Sequence, residues 1–155
     1  MSRQHSFVLT LKNNRTEKEG LEFARAAERR FVLPDKAGRA SLLNALEIPK
    51  KLSRAFDLVL LPEGQDAAVD HIDVKDVSRL ILVEVKTTKA HLPRFPSGFF
   101  FGATQNEFEL ASRLGSQFRF CFVCLNPSSP GIAVLTLSEL EAKIRTKRVQ
   151  YQINL

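Results

Sequence analysis

A chain of 155 residues that is 44% apolar and carries twelve phenylalanines is long enough to bury a core and too apolar to be disordered. No apolar run approaches the roughly 20 residues that span a bilayer, and the polar start Met1-Ser2-Arg3-Gln4-His5 lacks a signal-peptide pattern. A cytoplasmic protein folded as a single domain over residues 1–155, with no membrane partner, is therefore expected. Its formal net charge of +6 and pI near 9.6 suit a polyanionic partner.

In chain order, residues Glu17 to Phe31 are predicted helical. Thr16 is placed to cap this helix, with Glu19 completing a capping box. Leu21, Ala24, Ala27 and Phe31 recur at helical spacing, and Pro34 ends the element. A second helix is predicted over Arg39 to Leu46, with Leu42, Leu43 and Leu46 as its apolar stripe. Ala55 to Leu61 reads as a strand bounded by Pro62 and Gly64. The polar segment Glu63 to Ser78 reads as a loop, or as a hairpin with a short strand around Ile72 to Val77. Leu80 to Thr88 is the next strand.

A loop holding Pro93, Pro96 and Gly98 then leads to Phe99-Phe100-Phe101. These rings are read either as core or interface, or as platforms for stacking on bases. Thr104 and Glu107 form a second capping box, opening a helix that closes at Gly115. Phe118 to Leu125 is a central strand. Its Cys121 and Cys124, three apart, face opposite sides and are read as buried small hydrophobes. A strand from Ile132 to Leu135, a helix from Ser138 to Ile144 and an edge strand through Val149, Tyr151 and Ile153 complete the prediction. The order suggests an α/β protein with a mixed sheet flanked by helices.

The chemistry concentrates in Leu80-Ile81-Leu82-Val83-Glu84-Val85-Lys86. On a strand, Glu84 and Lys86 share one face and Val83 and Val85 take the other. Burying two charges is costly unless they are paired or bind a metal, which leaves a plain ion pair or a site. Asp57 interrupts the other apolar strand. If the two strands are neighbours, Asp57 and Glu84 converge beside Lys86 and repel each other unless a cation intervenes. One or two carboxylates with waters suit Mg²⁺. Glu141-Ala142-Lys143 has the same spacing but lies on a predicted helix, where it does not converge. Asp73-Val74-Lys75 lies in the polar segment and reads as a solvated pair. His5, His71 and His91 show no ligand spacing.

Asp57 followed by Glu84-Val85-Lys86 resembles the motif of PD-(D/E)XK, or restriction-endonuclease-like, nucleases, with Phe56 in place of the usual Pro. The stretch Phe101 to Ala111, with Thr104-Gln105-Asn106-Glu107 at its centre, is similar to a domain of prokaryotic restriction and defence proteins. The resemblance runs from about Glu17 to Leu125. It implies a restriction-endonuclease-like fold, with a central mixed sheet flanked by helices, and Mg²⁺-dependent hydrolysis of DNA, Mn²⁺ being able to substitute.

On that resemblance Asp57, Glu84 and the carbonyl of Val85 hold the metal, and Lys86 orients the attacking water. Glu22 is the first-helix carboxylate, and Gln105 lies near the site. Lys50, Lys51 and Arg54 before one catalytic strand, and Lys89, His91 and Arg94 after the other, suit a DNA backbone. A homodimer would cut both strands, or a partner protein would supply recognition. A structure-selective enzyme resembling Holliday-junction resolvases is the alternative nuclease. A non-cleaving binding or interaction module on the same fold is the alternative of a different class.

Overall fold

A computed structural model describes residues 3–65, 72, 74–151 and 153–155, with side chains from residue 14 onward except those of 74 and 75. Its centre is one mixed sheet of β1 (Phe31–Val32), β2 (Leu58–Leu60), β3 (Ile81–Thr88), β4 (Phe118–Cys124) and β5 (Gly131–Leu135), ordered as in the chain. Neighbouring strands run antiparallel except β3 and β4, which are parallel. A parallel pair needs a crossover, and α3 (Gln105–Leu114) supplies it.

The helices α1 (Arg3–Ala27), α2 (Lys36–Ala45) and α4 (Leu137–Lys143) complete the set. Alternation along the strands sends two apolar sets to opposite faces. Leu58, Leu60, Val83, Cys121 and Val123 pack with Ala24 and the partly buried Leu21 of α1. Val59, Leu82, Phe118, Phe120 and Phe122 pack beneath Leu42, Leu110, Ala111 and Leu140 of the other three helices. Helices on both faces explain why β3 and β4 read as nearly unbroken apolar runs. Among the described residues, no helix is long and apolar enough to cross a membrane.

The mixed α/β sheet, the pairing of the Asp57 and Glu84 strands, and the two cysteines buried as free thiols agree with the sequence reading. So does the capping box of α3: Thr104 accepts from the Glu107 N–H at 3.2 Å, Glu107 accepts from the Thr104 N–H at 2.8 Å, and Gly115 ends the helix at φ 55°.

Several boundaries differ. The first helix begins at Arg3, so Thr16 lies inside it. No Gly or Pro interrupts the chain before Gly20, and Glu19 accepts from Arg15 one turn back instead of completing a capping box. The same helix ends at Ala27. Phe31 leaves it because an extended backbone pairs with Leu60 and buries the ring between Ala24 and Leu58. The second helix starts at Lys36, where Asp35 accepts from the Gly38 N–H at 2.6 Å.

Val74–Arg79 forms 3₁₀ turns and not the strand expected around Ile72 to Val77. Ser78 donates to Asp76 at 2.6 Å, and Gln117 donates to the carbonyls of Val77 and Leu80. The remainder of that segment, Asp73 and His71 included, lies outside the described residues. Val149, Tyr151 and Ile153 form no edge strand and stand exposed, since alternation supplies a pattern but no partner.

Candidate active site

The site arises where β3 outruns β2. The ladder between them pairs Leu58 with Val83, and one further step sets Asp57 opposite Glu84. There β2 has ended, and the next β3 amide on that edge, from Val85, would be left without an acceptor. Asp57 closes both gaps. Its N–H donates to the Val83 carbonyl at 2.8 Å, and its carboxylate Oδ2 accepts from the Val85 N–H at 2.8 Å.

Arg39 of α2 secures the same turn from behind. Its Nη1 donates to the carbonyls of Ser53 and Phe56 at 2.9 and 2.7 Å, and its Nη2 donates to the Asp57 carbonyl at 3.4 Å. The guanidinium lies 4.2 Å from the centre of the Phe56 ring. Nothing in the local sequence around Arg39 signals this role, because all its partners lie 14 to 18 residues away.

Glu84 and Lys86 point to the α3 face, in line with Leu82. The Lys86 ammonium lies 3.2 Å from Glu84 and donates to both carboxylate oxygens of Glu107 at 3.0 Å. Glu107 therefore has two duties, closing the α3 capping box and holding Lys86. The capping-box pattern accounts for the first duty and hides the second.

Glu84 is 7% exposed, and its Oε2 has no hydrogen-bond partner. Burial, and then the charge of Asp57, push its carboxyl up to about 10 against the pull of Lys86. The uncharged form of Glu84 is therefore favoured while no metal ion lies beside it. For Lys86, burial pulls the ammonium down, but the carboxylates beside it carry it above its ordinary value.

These groups line an open cleft of about 610 Å³, which Glu17, Phe100 and Thr87 also border. One wall is α1, seated on β3 through Gly20, where an added Cβ would lie 1.9 Å from Thr87 Oγ1. Only glycine permits so close an approach. The seat brings Glu17, almost one turn earlier, to the cleft.

Glu22 is not brought there. It stands exposed, five residues and so about 140° around the helix from Glu17. Glu22 is the first-helix carboxylate that the resemblance implies, and the seat of α1 turns it away from the cleft. Gln105 likewise stands exposed on the first turn of α3 and does not border the cleft, which receives Glu107 instead.

The basic residues Lys50, Lys51, Arg54, Lys89, His91 and Arg94 are all exposed. Two of them are engaged, Lys51 with Glu109 at 3.2 Å and Lys89 with Glu19 at 3.1 Å. The three phenylalanines divide. Phe99 and Phe101 pack edge-on against Phe122, each 5.0 Å between centres, while Phe100 is 93% exposed.

Among the described residues, no three His, Cys, Asp or Glu side chains gather closely enough to hold a metal by themselves. Mg²⁺ does not require three, since it keeps several waters and takes one or two carboxylates. Asp57 and Glu84, adjacent across the strand gap and with one buried carboxylate oxygen unpartnered, are a donor set that fits such an ion. Comparison with protein-family models, curated proteins and solved structures found no match.

Proposed function

We propose that this chain is a metal-dependent endodeoxyribonuclease built on a restriction-endonuclease-like fold. The observation that carries the proposal is the convergence of Asp57 and Glu84 at the end of β2, beside Lys86, in an open cleft. Structural ion pairs have no need of a cleft, and a buried carboxylate held protonated beside a second carboxylate is a common device of reactive sites.

In this reading Asp57 and Glu84 hold Mg²⁺, with the neighbouring Val85 carbonyl as a further ligand and Mn²⁺ able to substitute. When bound, the ion supplies hydroxide near neutral pH and neutralises charge on the phosphoryl oxygens. Glu84 must give up its proton for this, so ion uptake strengthens as pH rises. Lys86 directs its ammonium at the attacking water and at the charge that builds on the phosphate. Glu107 is a positioning residue that fixes the Lys86 ammonium from the far side. Glu17 borders the same cleft and takes the part of the first-helix carboxylate. The exposed cations Lys50, Arg54 and Arg94 contact the DNA backbone without reading its sequence.

Supercoiled plasmid incubated with Mg²⁺, Mn²⁺ or EDTA tests the proposal, using the wild-type chain beside Asp57→Ala and Lys86→Ala. Nicking or linearisation is expected with either metal, and loss of at least a hundredfold in rate with each substitution. Cleavage that survives both substitutions refutes the site. A second reading, a non-cleaving binding module, is favoured by one observation: the Lys86 ammonium is already engaged by Glu84 and Glu107 within the protein. DNA bound with no metal-dependent cleavage would support it. Cutting confined to four-way junctions would point to a resolvase.

A further inference from the structure

Phe100 borders the cleft and stands 93% exposed. Along the extended segment, alternation sends Phe99 and Phe101 to one side and Phe100 to the other. The first two are 6.1 Å apart and both lie edge-on to Phe122, which continues the ring series of Phe120 and Phe118 on β4. The segment is therefore anchored in the core, and Phe100 stands on a firm mount while 93% exposed. A Cβ added at Gly102, two residues on, would meet nothing within 4 Å, so the space beside the ring is open. An isolated surface Phe needs no explanation, but this one borders the same cleft as Asp57, Glu84 and Lys86. The exposed Arg94 lies in the same loop to meet phosphate.

We propose that Phe100 is a stacking platform for an unpaired DNA base next to the phosphate held at the Asp57–Glu84 site, so that the cleft takes single-stranded or locally unwound DNA. The inference rests on the nuclease reading and deepens it. Every base has a π-face, so stacking is tolerant of sequence, and it needs a base out of the duplex because paired bases already stack on each other. Stacking is worth about 1–3 kcal/mol per base by alanine substitution, about 5- to 150-fold in affinity.

Full-length chain is titrated in Ca²⁺, which takes the same oxygen ligands as Mg²⁺, against a 20-nucleotide single strand carrying 2-aminopurine, and against the same strand in duplex. For wild type the expected result is tighter binding of the single strand with quenching of the 2-aminopurine. Phe100→Ala weakens that binding about 5- to 150-fold and abolishes the quenching. Phe100→Trp keeps both, and Phe100→Leu, apolar but without a π-face, behaves as the alanine variant. Thermal melts of all three variants stay close to wild type, because the ring buries almost nothing.

Equal binding by Phe100→Ala and wild type overturns the inference, as does duplex preference with the same dependence on Phe100. Tighter binding of single-stranded RNA overturns the commitment to DNA. Dissociation of a dimer by Phe100→Ala, with single-strand binding unchanged, reassigns the ring to a protein interface. Plasmid cleavage in parallel separates the two levels. Metal-dependent cutting without any effect of Phe100→Ala refutes only the stacking role. Quenching by wild type without cleavage refutes only the hydrolytic reading.

Discussion

Replacing Gly20 by alanine tests whether α1 seats where the site requires it. In an exposed helix interior the change stabilises by about 0.5–1 kcal/mol, because glycine pays more backbone entropy than alanine. Here the new Cβ would lie 1.9 Å from Thr87 Oγ1, 2.8 Å from its Cγ2 and 2.9 Å from its Cβ. Rotating Thr87 can clear the closest position but not both, since Oγ1 and Cγ2 fill two of the three staggered positions, and the Cβ does not move with χ1. Ordinary van der Waals contact begins at 3.4 Å, so the helix must retreat by at least 0.5 Å even after Thr87 has turned.

Overpacking of this kind costs about 1–3 kcal/mol. Against the helix gain, Gly20→Ala is expected to destabilise by about 1–2 kcal/mol, a fall in Tm of about 2–8 °C for a chain of this size. Urea unfolding followed by circular dichroism gives the value. Thr87→Ala removes the two closest contacts, so the double variant should recover part of the loss, with a coupling of at least about 0.5 kcal/mol. A raised Tm for Gly20→Ala, or single effects that simply add, would refute the close seat of α1 on β3. Because the same seat carries Glu17, Gly20→Ala should also slow metal-dependent cleavage more than its stability loss explains.

Stability without metal should depend on pH through Glu84. The folded state keeps a proton up to about pH 10, while the unfolded chain releases it near 4.5. Stability from this group is therefore complete below 4.5 and lost as pH rises toward 10, with a slope of at most about 1.4 kcal/mol per pH unit. Urea midpoints in EDTA should fall from pH 6 to pH 9 for wild type and stay flatter for Glu84→Gln; parallel profiles contradict the assignment. Glu107→Gln keeps both hydrogen bonds of the α3 capping box, while Glu107→Ala loses the one accepted from the Thr104 N–H, so the alanine variant should be less stable by about 1 kcal/mol. Equal urea midpoints for the two exclude the dual role of Glu107. Glu17→Gln should reduce metal-dependent cleavage about tenfold, as loss of an outer partner of a metal site does, while Glu22→Gln leaves the rate unchanged. The reverse order restores Glu22 to the site.

The strands were legible because burial on both faces writes itself as apolar runs, and the two charges in β3 were legible because they break one. The Thr104 capping box was legible because its two hydrogen bonds join residues three apart. The start of α1 was not, since Thr16 and Glu19 satisfy a capping pattern wherever the helix actually begins. Nor does helical period say which carboxylate of α1 meets the cleft, because the seat of Gly20 on Thr87 turns Glu17 toward it and leaves Glu22 exposed. Phe31 and the tail strand failed for a shared reason. Pairing depends on a partner edge that the segment itself does not encode, and β2 offers one to Phe31 while none is joined to Val149, Tyr151 and Ile153.

By itself the sequence determined the alternating strands, the acid and base on one face of β3, and the Asp57 that breaks its neighbour. Each follows from the period of two of an extended backbone and the cost of burying charge. Only the tertiary structure decided what those charges meet. It is the early end of β2 that turns Asp57 onto the Val85 amide, the crossover of α3 that brings Glu107 to Lys86, and the bare Cα of Gly20 that lets α1 carry Glu17 to the cleft. All three are contacts between segments distant in the chain, set by how layers pack and not by any local pattern.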